Sequence, residues 1–383
     1  MNFIDLFAGA GGFSLGLYQA GMRGLFAVER DPMAFSTLEH NLIRDRAAFE
    51  WPDWLPRGPM DIRTLLDIYR DQLAKLSGKV DLVVGGPPCQ GFSLAGRRRE
   101  HDERNQMFME YLKFVEIVRP SVVMFENVPG FAMPFKLGAQ PSRSYASMLG
   151  NDLGGIGYMN PEFGIFNFSD YGIPQNRKRL IMLATDSGGD PARIMEKIRS
   201  SGRAAVSARD AISDLLRKHG ETTSPDSIHF MAGIYGIPKS EYQRKMRQGV
   251  NKEIPDSHRF AKHGEIVTGR FRKVLGSVQA KGSVVPAVMD SLGTRKRNLT
   301  VIDPDKPSPT LTTLPDDYVH YEEPRILTVR EYARLQSFPD WFEFRGKYTT
   351  GGRLRAHEAP RYTQVANAVP PLFSFLSGSI ISI

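Results

Sequence analysis

The chain has 383 residues, of which 41% are hydrophobic and 24% charged, and these ordinary globular values exclude a fibrous or low-complexity protein. Its formal net charge of +8 is concentrated in residues 239–297, which carry 14 Lys and Arg against 5 Asp and Glu. A basic block in an otherwise nearly neutral chain favours a polyanionic partner such as nucleic acid, although a solvated basic surface would have the same composition.

The N-terminus and the single cysteine both point to a reducing compartment. Residues 1–13, MNFIDLFAGAGGF, lack the basic segment and cleavage pattern of a signal peptide, and no apolar run approaches the roughly 18 residues that span a bilayer. Cys89 is the only cysteine, so it can form no internal disulfide and cannot hold a structural zinc by itself. We therefore expect a cytoplasmic protein with no membrane partner and no metal site.

Short β-rich runs alternate with helical patterns through the first half of the chain, which is typical of βαβ units and a parallel sheet covered by helices. The predicted strands are residues 3–7, 24–30, 80–84, 122–126 and 180–184. The predicted helices are residues 14–21, 32–42, 62–76 and 107–118, followed much later by 328–338 and a docking helix within 369–383. This pattern predicts an α/β fold with a doubly wound sheet.

Two loop-like segments interrupt the pattern and bracket the basic block. Residues 186–191, DSGGDP, and 303–315, DPDKPSPTLTTLP, are crowded with Pro, Gly, Asp and Ser. A chain of this length also exceeds the size at which a single core stops growing. We therefore predict three segments: 1–190 as the first part of the α/β domain, 191–315 as a smaller basic domain, and 316–383 as the return to the α/β domain.

A glycine-rich turn follows the first predicted strand. Gly9, Gly11 and Gly12 let the backbone approach a ligand closely, but their spacing departs from the dinucleotide pattern and a tight structural turn would look similar. Glu29 ends the next strand about 20 residues later, where an acid would bind the hydroxyls of a ribose. The two features together favour a nucleoside-type cofactor.

Seven motifs in order resemble those of the DNA cytosine-5 methyltransferases of bacterial restriction-modification systems. They are FIDLFAGAGGFSLGL, the acid of VERDP, GGPPCQGFS, FENVPG, YGIPQNRKRL, LTVREYARLQSFPDWF and QVANAVPP. The motifs cover most of residues 1–184 and 326–373, and residues 190–310 correspond to the family's variable region. The resemblance implies a Rossmann-like methyltransferase sheet, a smaller target-recognition domain, and methyl transfer to carbon 5 of a flipped cytosine in a specific duplex DNA sequence.

The chemistry that the family performs needs a nucleophile. Carbon 5 of cytosine reacts poorly with a methyl donor until a group adds to carbon 6, and a thiolate is the best side-chain nucleophile for that addition. Cys89 is the only candidate, and the strand before it ends at the sheet edge where ligands bind in open α/β folds. A lone cysteine is most often a small buried hydrophobe. The Pro-Pro-Cys-Gln context nevertheless favours a covalent adduct between Cys89 and carbon 6.

Three more residues are predicted to act on the base. Glu126 ends the strand VVMFE, where it could hold a proton for ring nitrogen 3, although an acid at a strand end is more often a cap or a surface charge. Arg177 and Arg179 alternate on one face of a predicted strand start. The resemblance implies that Arg179 reaches the cytosine carbonyl oxygen and that Arg177 orders the site, whereas two exposed arginines would guard a sheet edge.

The resemblance also implies S-adenosylmethionine as the cofactor. The first turn corresponds to positions near its amino acid, Glu29 to its ribose contact, and the pair after Met60 to its adenine contact. The implied cofactor positions are Phe7, Gly9, Gly11, Gly12, Glu29, Asp61, Ile62, Pro87, Met107, Asn367 and Val369. Ala366 departs from the family, which usually has glycine there.

A base inside a duplex cannot present carbon 6 to a thiol, so the target must leave the stack. Basic residues after the cysteine could close over phosphates, and the basic block could read base edges in the major groove, although a solvated charge run has the same composition. The residues expected to contact DNA are Gln90, Ser93, Arg97, Arg98, Arg99, Arg270, Arg272, Lys273, Arg295, Lys296 and Arg297.

Two other functions fit parts of the sequence. An RNA (tRNA) cytosine-5 methyltransferase would share the scaffold, but the long basic insert favours duplex DNA, because reading base pairs in a groove needs such a platform. A catalytically silent DNA-binding regulator would keep the fold, but all the reactive positions are intact. The resemblance further implies a cognate restriction endonuclease that acts separately, and we expect the chain to be a monomer.

Overall fold

The structure is a computed structural model that describes residues 1–88, 106–134, 144–186, 188–277, 282–283, 286–294 and 299–382. The chain forms two compact units. The first comprises Met1–Phe168, Lys178–Gly202 and Val369–Ile383, and the second comprises Ser169–Arg177 and Arg203–Ala368. The second unit thus contains residues 316–368, which the sequence placed with the α/β domain. The functions of the two parts stay predictions.

A six-stranded sheet forms the centre of the first unit. Its strands are β1 (Asn2–Leu6), β2 (Arg23–Val28), β3 (Leu82–Gly85), β4 (Val122–Asn127), β5 (Met159–Asn167) and β7 (Lys178–Thr185), in the spatial order β2-β1-β3-β4-β7-β5. Strands β2, β1, β3 and β4 are parallel, whereas β7 runs antiparallel to both of its neighbours. The α/β prediction is confirmed.

Strand β7 departs from the parallel direction that the βαβ pattern predicts. Strand β5, which contains Pro161 and Gly164, was not predicted. Only residues 168–177 separate β5 from β7, and a parallel neighbour would need a crossover of about a dozen residues or more, usually with a helix. The short connection therefore brings β7 back antiparallel.

Helices cover the sheet of the first unit, and most of them lie where the sequence predicts them. The predicted helix at 62–76 is broken at Tyr69, and the predicted terminal helix is α14. The helices of this unit are α1 (Gly12–Gln19), α2 (Pro32–Leu38), α3 (Ile62–Ile68), α4 (Arg70–Ala74), α5 (Gln106–Val118), α6 (Tyr145–Gly155), α7 (Pro191–Ser200) and α14 (Pro371–Ile381).

The second unit consists of short elements. Its strands are β6 (Gln175–Asn176), β8 (Glu221–Ser224), β9 (Ser227–Gly233), β10 (Gly282–Ser283), β11 (Thr300–Val301), β12 (Ser308–Pro309) and β13 (Tyr318–Val319). They form a β10-β11-β13 sheet, a β12-β6 pair and a β8-β9 hairpin. Its helices are α8 (Ala208–Ile212), α9 (Glu241–Met246), α10 (Glu265–Gly276), α11 (Pro286–Ser291), α12 (Val329–Leu335) and α13 (Arg361–Asn367).

The predicted helix at 328–338 is α12, and it is buried on every side. Thr328 caps its N-terminus in a capping box with Glu331, which is why the helix begins there. Arg334 is fully buried and forms ion pairs with Asp214 and Asp340. A buried charge is tolerated only when it is paired in this way. Across the described residues, no helix is long and apolar enough to cross a membrane.

Candidate functional site

The turn between β1 and α1 adopts a left-handed backbone. Phe7 has φ 58°, Gly9 has φ 57° and Gly11 has φ 90°. Glycine adopts this region without strain, whereas Phe7 does so at a cost of order 1–3 kcal/mol. A Cβ added to Gly9 would meet nothing within 4 Å, so the backbone here borders open space that a ligand could occupy.

Glu29, which follows β2, is joined to this turn. Its Oε2 accepts from the amide of Gly9 at 2.8 Å, and its Oε1 accepts from the amide of Asp31 at 2.7 Å. Burial raises the pKa of Glu29, and the two amide bonds oppose that rise. The structure therefore brings together a half-buried carboxylate and an open glycine turn, which is an arrangement that fits the ribose and amino-acid ends of an adenosyl cofactor.

The segment predicted to contact adenine is held beside the same strand end. The amide of Met60 donates to the carbonyl of Glu29 at 2.7 Å. Asp61 caps α3 and forms an ion pair with Arg63 at 2.9 Å, and the Arg63 contact lowers its pKa. Ile62 is buried at the start of α3. Asp61 therefore has a capping role in addition to the role expected from the sequence.

An ion pair lies at the carboxyl end of β4. Glu126, which is 9% exposed, binds Arg179 of β7 with 2.9 Å between Oε1 and Nε. The two strands are adjacent and antiparallel, so the start of β7 lies beside the end of β4. Two residues that the sequence assigned to the same base are thus in direct contact.

The turn after β3 packs against this ion pair. A Cβ added to Gly86 would lie 2.9 Å from Oε2 of Glu126, so the turn approaches the carboxylate closely. Asn127 Nδ2 donates to the carbonyl of Pro87 at 3.2 Å and ties the turn to β4. Gly86 and Asn127 are not among the predicted site residues, although the second glycine of GGPPC and the asparagine of ENV are visible in the sequence.

Several predicted residues fall in segments whose structure is not described. Cys89 follows the Gly86–Pro88 turn in the sequence, but its placement lies outside the described residues. The same holds for the following predicted residues: Gln90, Ser93, Arg97, Arg98, Arg99, Arg295, Lys296 and Arg297. Their roles stay predictions.

Arg177 belongs to the second unit, unlike Arg179. Strand β7 begins at Lys178, so Arg177 lies directly before the strand and Arg179 within it. Arg177 is 3% exposed and its Nη1 donates to the carbonyl of Leu311 at 3.5 Å. Gln175 accepts from the Leu311 amide at 3.1 Å, because β6 pairs with β12 just before Leu311.

The remaining predicted cofactor residues are spread over several elements. Met107 is half-buried near the start of α5. Asn367 ends α13 in the second unit, and Val369 is buried in the first unit. Ala366, the departure from the family motif, is buried in α13.

Three of the predicted DNA contacts lie on α10 and already have protein partners. Arg270 donates to the carbonyl of Gly293 at 2.7 Å, and Lys273 donates to that of Ser291 at 3.1 Å. Arg272 pairs with Glu265 at 2.7 Å. The first two bonds attach α10 to the segment that ends α11, so these side chains have a structural role whatever their part in DNA binding.

Comparison with known proteins gives consistent matches over the whole chain. Residues 1–380 match the family described as C-5 cytosine-specific DNA methylase. The Type II methyltransferase M.DdeI of Desulfomicrobium norvegicum is 31% identical, with 98% of this chain and 86% of that protein covered. The Type II methyltransferase M1.HphI of Haemophilus parahaemolyticus is 30% identical, with 98% and 84% covered.

Two solved structures share the fold. One is a DNA modification methyltransferase encoded within an Escherichia coli prophage, with a TM-score of 0.66, 24% identity, and coverage of 99% of this chain and 98% of that one. The other is the Dnmt2 methyltransferase of Schizosaccharomyces pombe, with a TM-score of 0.55, 16% identity, and 100% and 98% coverage. At these identities the likeness concerns the fold alone.

Proposed function

This chain belongs to the C-5 cytosine-specific DNA methylase family and is a DNA cytosine-5 methyltransferase of the restriction-modification type, and we propose that it acts through a covalent bond between Cys89 and a flipped cytosine. The target cytosine flips out of the base stack within a specific double-stranded DNA sequence, at a cost of a few kcal/mol. The Cys89 thiolate then adds to carbon 6 of the ring.

The contact between the Gly86–Pro88 turn and Glu126 is the observation that carries this proposal. The turn packs on the Glu126 carboxylate, and Cys89 is the next residue in the chain after Pro88. A thiol that adds to carbon 6 and a carboxyl group that holds a proton at ring nitrogen 3 must both lie within reach of the same pyrimidine ring. The close approach of Gly86 to Glu126 supports this proposal.

Each residue has a distinct part in the proposed cycle. The thiolate of Cys89 bonds to carbon 6, and the electron pair of the ring double bond makes carbon 5 nucleophilic. Arg179 turns from Glu126 to the cytosine carbonyl oxygen, and loss of this ion pair favours the protonated form of Glu126 at a buried strand end. Glu126 then holds its proton at ring nitrogen 3. Arg177 orders the site, and loss of the carbon 5 proton finally releases the thiolate.

S-adenosylmethionine is the proposed cofactor, and when bound it supplies an electrophilic methyl group. The open turn at Gly9 and the half-buried carboxylate of Glu29 fit its amino-acid and ribose ends. The other proposed contacts are Phe7, Gly11, Gly12, Asp61, Ile62, Pro87, Met107, Asn367 and Val369. We further propose that the enzyme acts as a monomer in the cytoplasm and that a separate restriction endonuclease recognises the same DNA sequence.

Replacement of the proposed nucleophile tests this function. Cys89→Ser is expected to abolish transfer of tritiated methyl groups from labelled cofactor into duplex DNA, because a serine hydroxyl is a far weaker nucleophile than a thiolate at neutral pH. DNA binding is expected to stay within a few-fold of wild type. Wild-type protein should also form a covalent complex with DNA that contains 5-fluorocytosine, and Cys89→Ser should form none.

The same assay separates the alternatives. Labelled methyl groups in tRNA rather than in DNA would overturn the choice of substrate. Full activity of Cys89→Ser would overturn the covalent route while leaving the enzyme class intact. Bisulfite sequencing of DNA from expressing cells would then identify which cytosines are methylated.

A further inference from the structure

A polar pocket of about 340 Å³ lies within the second unit. It lies between the β8-β9 hairpin and residues 346–349. Three cationic side chains line it, Arg259, Lys347 and Arg361, against the single carboxylate of Asp226. Its lining thus carries a net positive charge.

Arg259 is held in this pocket by two aromatic rings. Its guanidinium carbon lies 3.6 Å from the ring centroid of Tyr348 and 4.0 Å from that of Phe230. Stacking on aromatic faces fixes a guanidinium in one plane and leaves the N–H groups at its edge to bind other partners. A preorganised planar donor of this kind loses little conformational freedom when it binds a ligand.

The other charged groups of the pocket are already matched in pairs. Arg361 binds Asp226 with 2.5 Å between Nη1 and Oδ2, and Lys347 binds Glu358 at 2.8 Å. The Asp226 carboxylate also accepts from the hydroxyl of Tyr348 at 3.0 Å, which steadies the ring under Arg259.

Arg259 alone among these cations has no ion pair with a carboxylate in the described parts of the chain. Within the described residues, the Arg259 side chain donates one hydrogen bond, from Nη1 to the hydroxyl of Ser227 at 3.0 Å. Burial lowers the pKa of Arg259, which indicates that its charge is incompletely compensated in this environment. A guanidinium has five N–H donors, so most of them remain available to an acceptor in the pocket.

We propose that Arg259 binds a phosphodiester of the DNA backbone in this pocket. A guanidinium edge matches two phosphate oxygens in a bidentate geometry, and a net positive lining favours a monoanion. This proposal rests on the proposed function in that the ligand is the duplex DNA substrate, and it assigns Arg259 to positioning the DNA rather than to reading its bases.

Arg259→Gln tests the proposal in the full-length protein. Affinity for several duplexes of unrelated sequence is measured over a series of salt concentrations, without a methyl donor. Removal of one phosphate contact should weaken binding roughly 10- to 100-fold and uniformly across the duplexes. It should also reduce the slope of log affinity against log salt by about 0.9.

Two variants make the test specific. Arg217→Gln removes the same charge from another stacked arginine of this unit, whose guanidinium lies over Phe260 and is paired with Glu221. This control should leave the affinity within twofold of wild type and the slope unchanged. Arg259→Lys keeps the charge without the planar fork, so it should restore the slope and only part of the affinity. It also provides a binding measurement if Arg259→Gln lowers the melting temperature.

Three results would overturn the proposal. They are unchanged binding by Arg259→Gln at every salt concentration, an equal loss in Arg217→Gln, and a changed sequence preference with an unchanged slope, which would make Arg259 a base-reading residue. The test measures DNA binding and not methyl transfer. Its result can therefore be interpreted even if the proposed Cys89 mechanism is wrong.

Discussion

Asp5 is a fully buried carboxylate beside the proposed cofactor turn. Its Oδ2 accepts from the amide of Ser14 at 3.2 Å and from the hydroxyl of Ser14 at 2.5 Å. Burial raises the pKa of Asp5 from 3.8 to about 7, although both hydrogen bonds oppose the rise. Glu126, by contrast, has a guanidinium partner in Arg179. These two carboxylates thus differ in their surroundings: Asp5 is buried with a hydroxyl as its partner, whereas Glu126 is paired with a guanidinium.

The raised pKa of Asp5 predicts a pH dependence of stability. Between pH 4 and 7 the folded state binds more protons at Asp5 than the unfolded state does, so the free energy of unfolding should fall as pH rises through this window. Asp5→Asn, which keeps an acceptor for Ser14, should flatten this dependence when urea unfolding midpoints are compared. The control Asp67→Asn, at an exposed position on α3, should not. If the free energy of unfolding of Asp5→Asn varied with pH as in wild type, Asp5 would not be the source of this pH dependence.

At the scale of elements, the contact between α1 and α14 depends on the absence of a side chain. A Cβ at Gly16 of α1 would lie 2.3 Å from the carbonyl oxygen of Pro371 and 2.4 Å from Cβ of Ser374. Glycine in a helix costs about 1 kcal/mol relative to alanine. The close approach of the two helices is therefore the reason for glycine at this position.

Gly16→Ala should destabilise the protein despite its better helix propensity. Overpacking at a tight contact typically costs ~1–3 kcal/mol, which exceeds the gain from propensity. Gly154→Ala in α6 is the matched control, because a Cβ there would meet nothing within 4 Å, and it should raise the free energy of unfolding by up to ~1 kcal/mol. Urea unfolding of the two variants measures both effects. Equal changes in the free energy of unfolding of the two variants would show that the contact between α1 and α14 leaves room for a side chain at position 16.

At the scale of the whole molecule, the chain leaves the first unit and returns to complete it. Residues 369–383 come after the whole of the second unit, yet α14 packs on α1 and α7. Phe373 is fully buried, with its ring centroid 4.7 Å from that of Phe168 and 5.8 Å from that of Phe166. The core of the first unit therefore needs the end of the sequence.

Removal of residues 369–383 should accordingly destabilise the first unit. The deletion exposes the apolar faces that α14 covers, and each fully buried large apolar side chain contributes roughly 1.5–3 kcal/mol. We expect a lower melting temperature by circular dichroism and rapid proteolysis within residues 1–168. Deletion of Ser382 and Ile383 alone should change neither. A truncated protein that melts like the full chain would contradict this account of the fold.

The sequence by itself determined the features that depend on neighbouring residues. Alternation of short apolar runs with amphipathic segments predicted β1 to β4 and most of the helices of the first unit. Local capping residues such as Thr328 mark where helices begin. The ordered motifs identified the family, because each motif is a short continuous stretch. The roles of Cys89 and the other proposed site residues remain predictions from the same stretches.

Only the tertiary structure decided the features that join distant parts of the chain. These are the antiparallel direction of β7, the packing of residues 316–368 in the second unit, the Glu126–Arg179 ion pair and the aromatic stack around Arg259. Local periodicity reports which side of an element is buried, but it carries no information about the element that buries it. Strand direction and ion pairing follow from those long-range partners, and so they emerged only when the chain was folded.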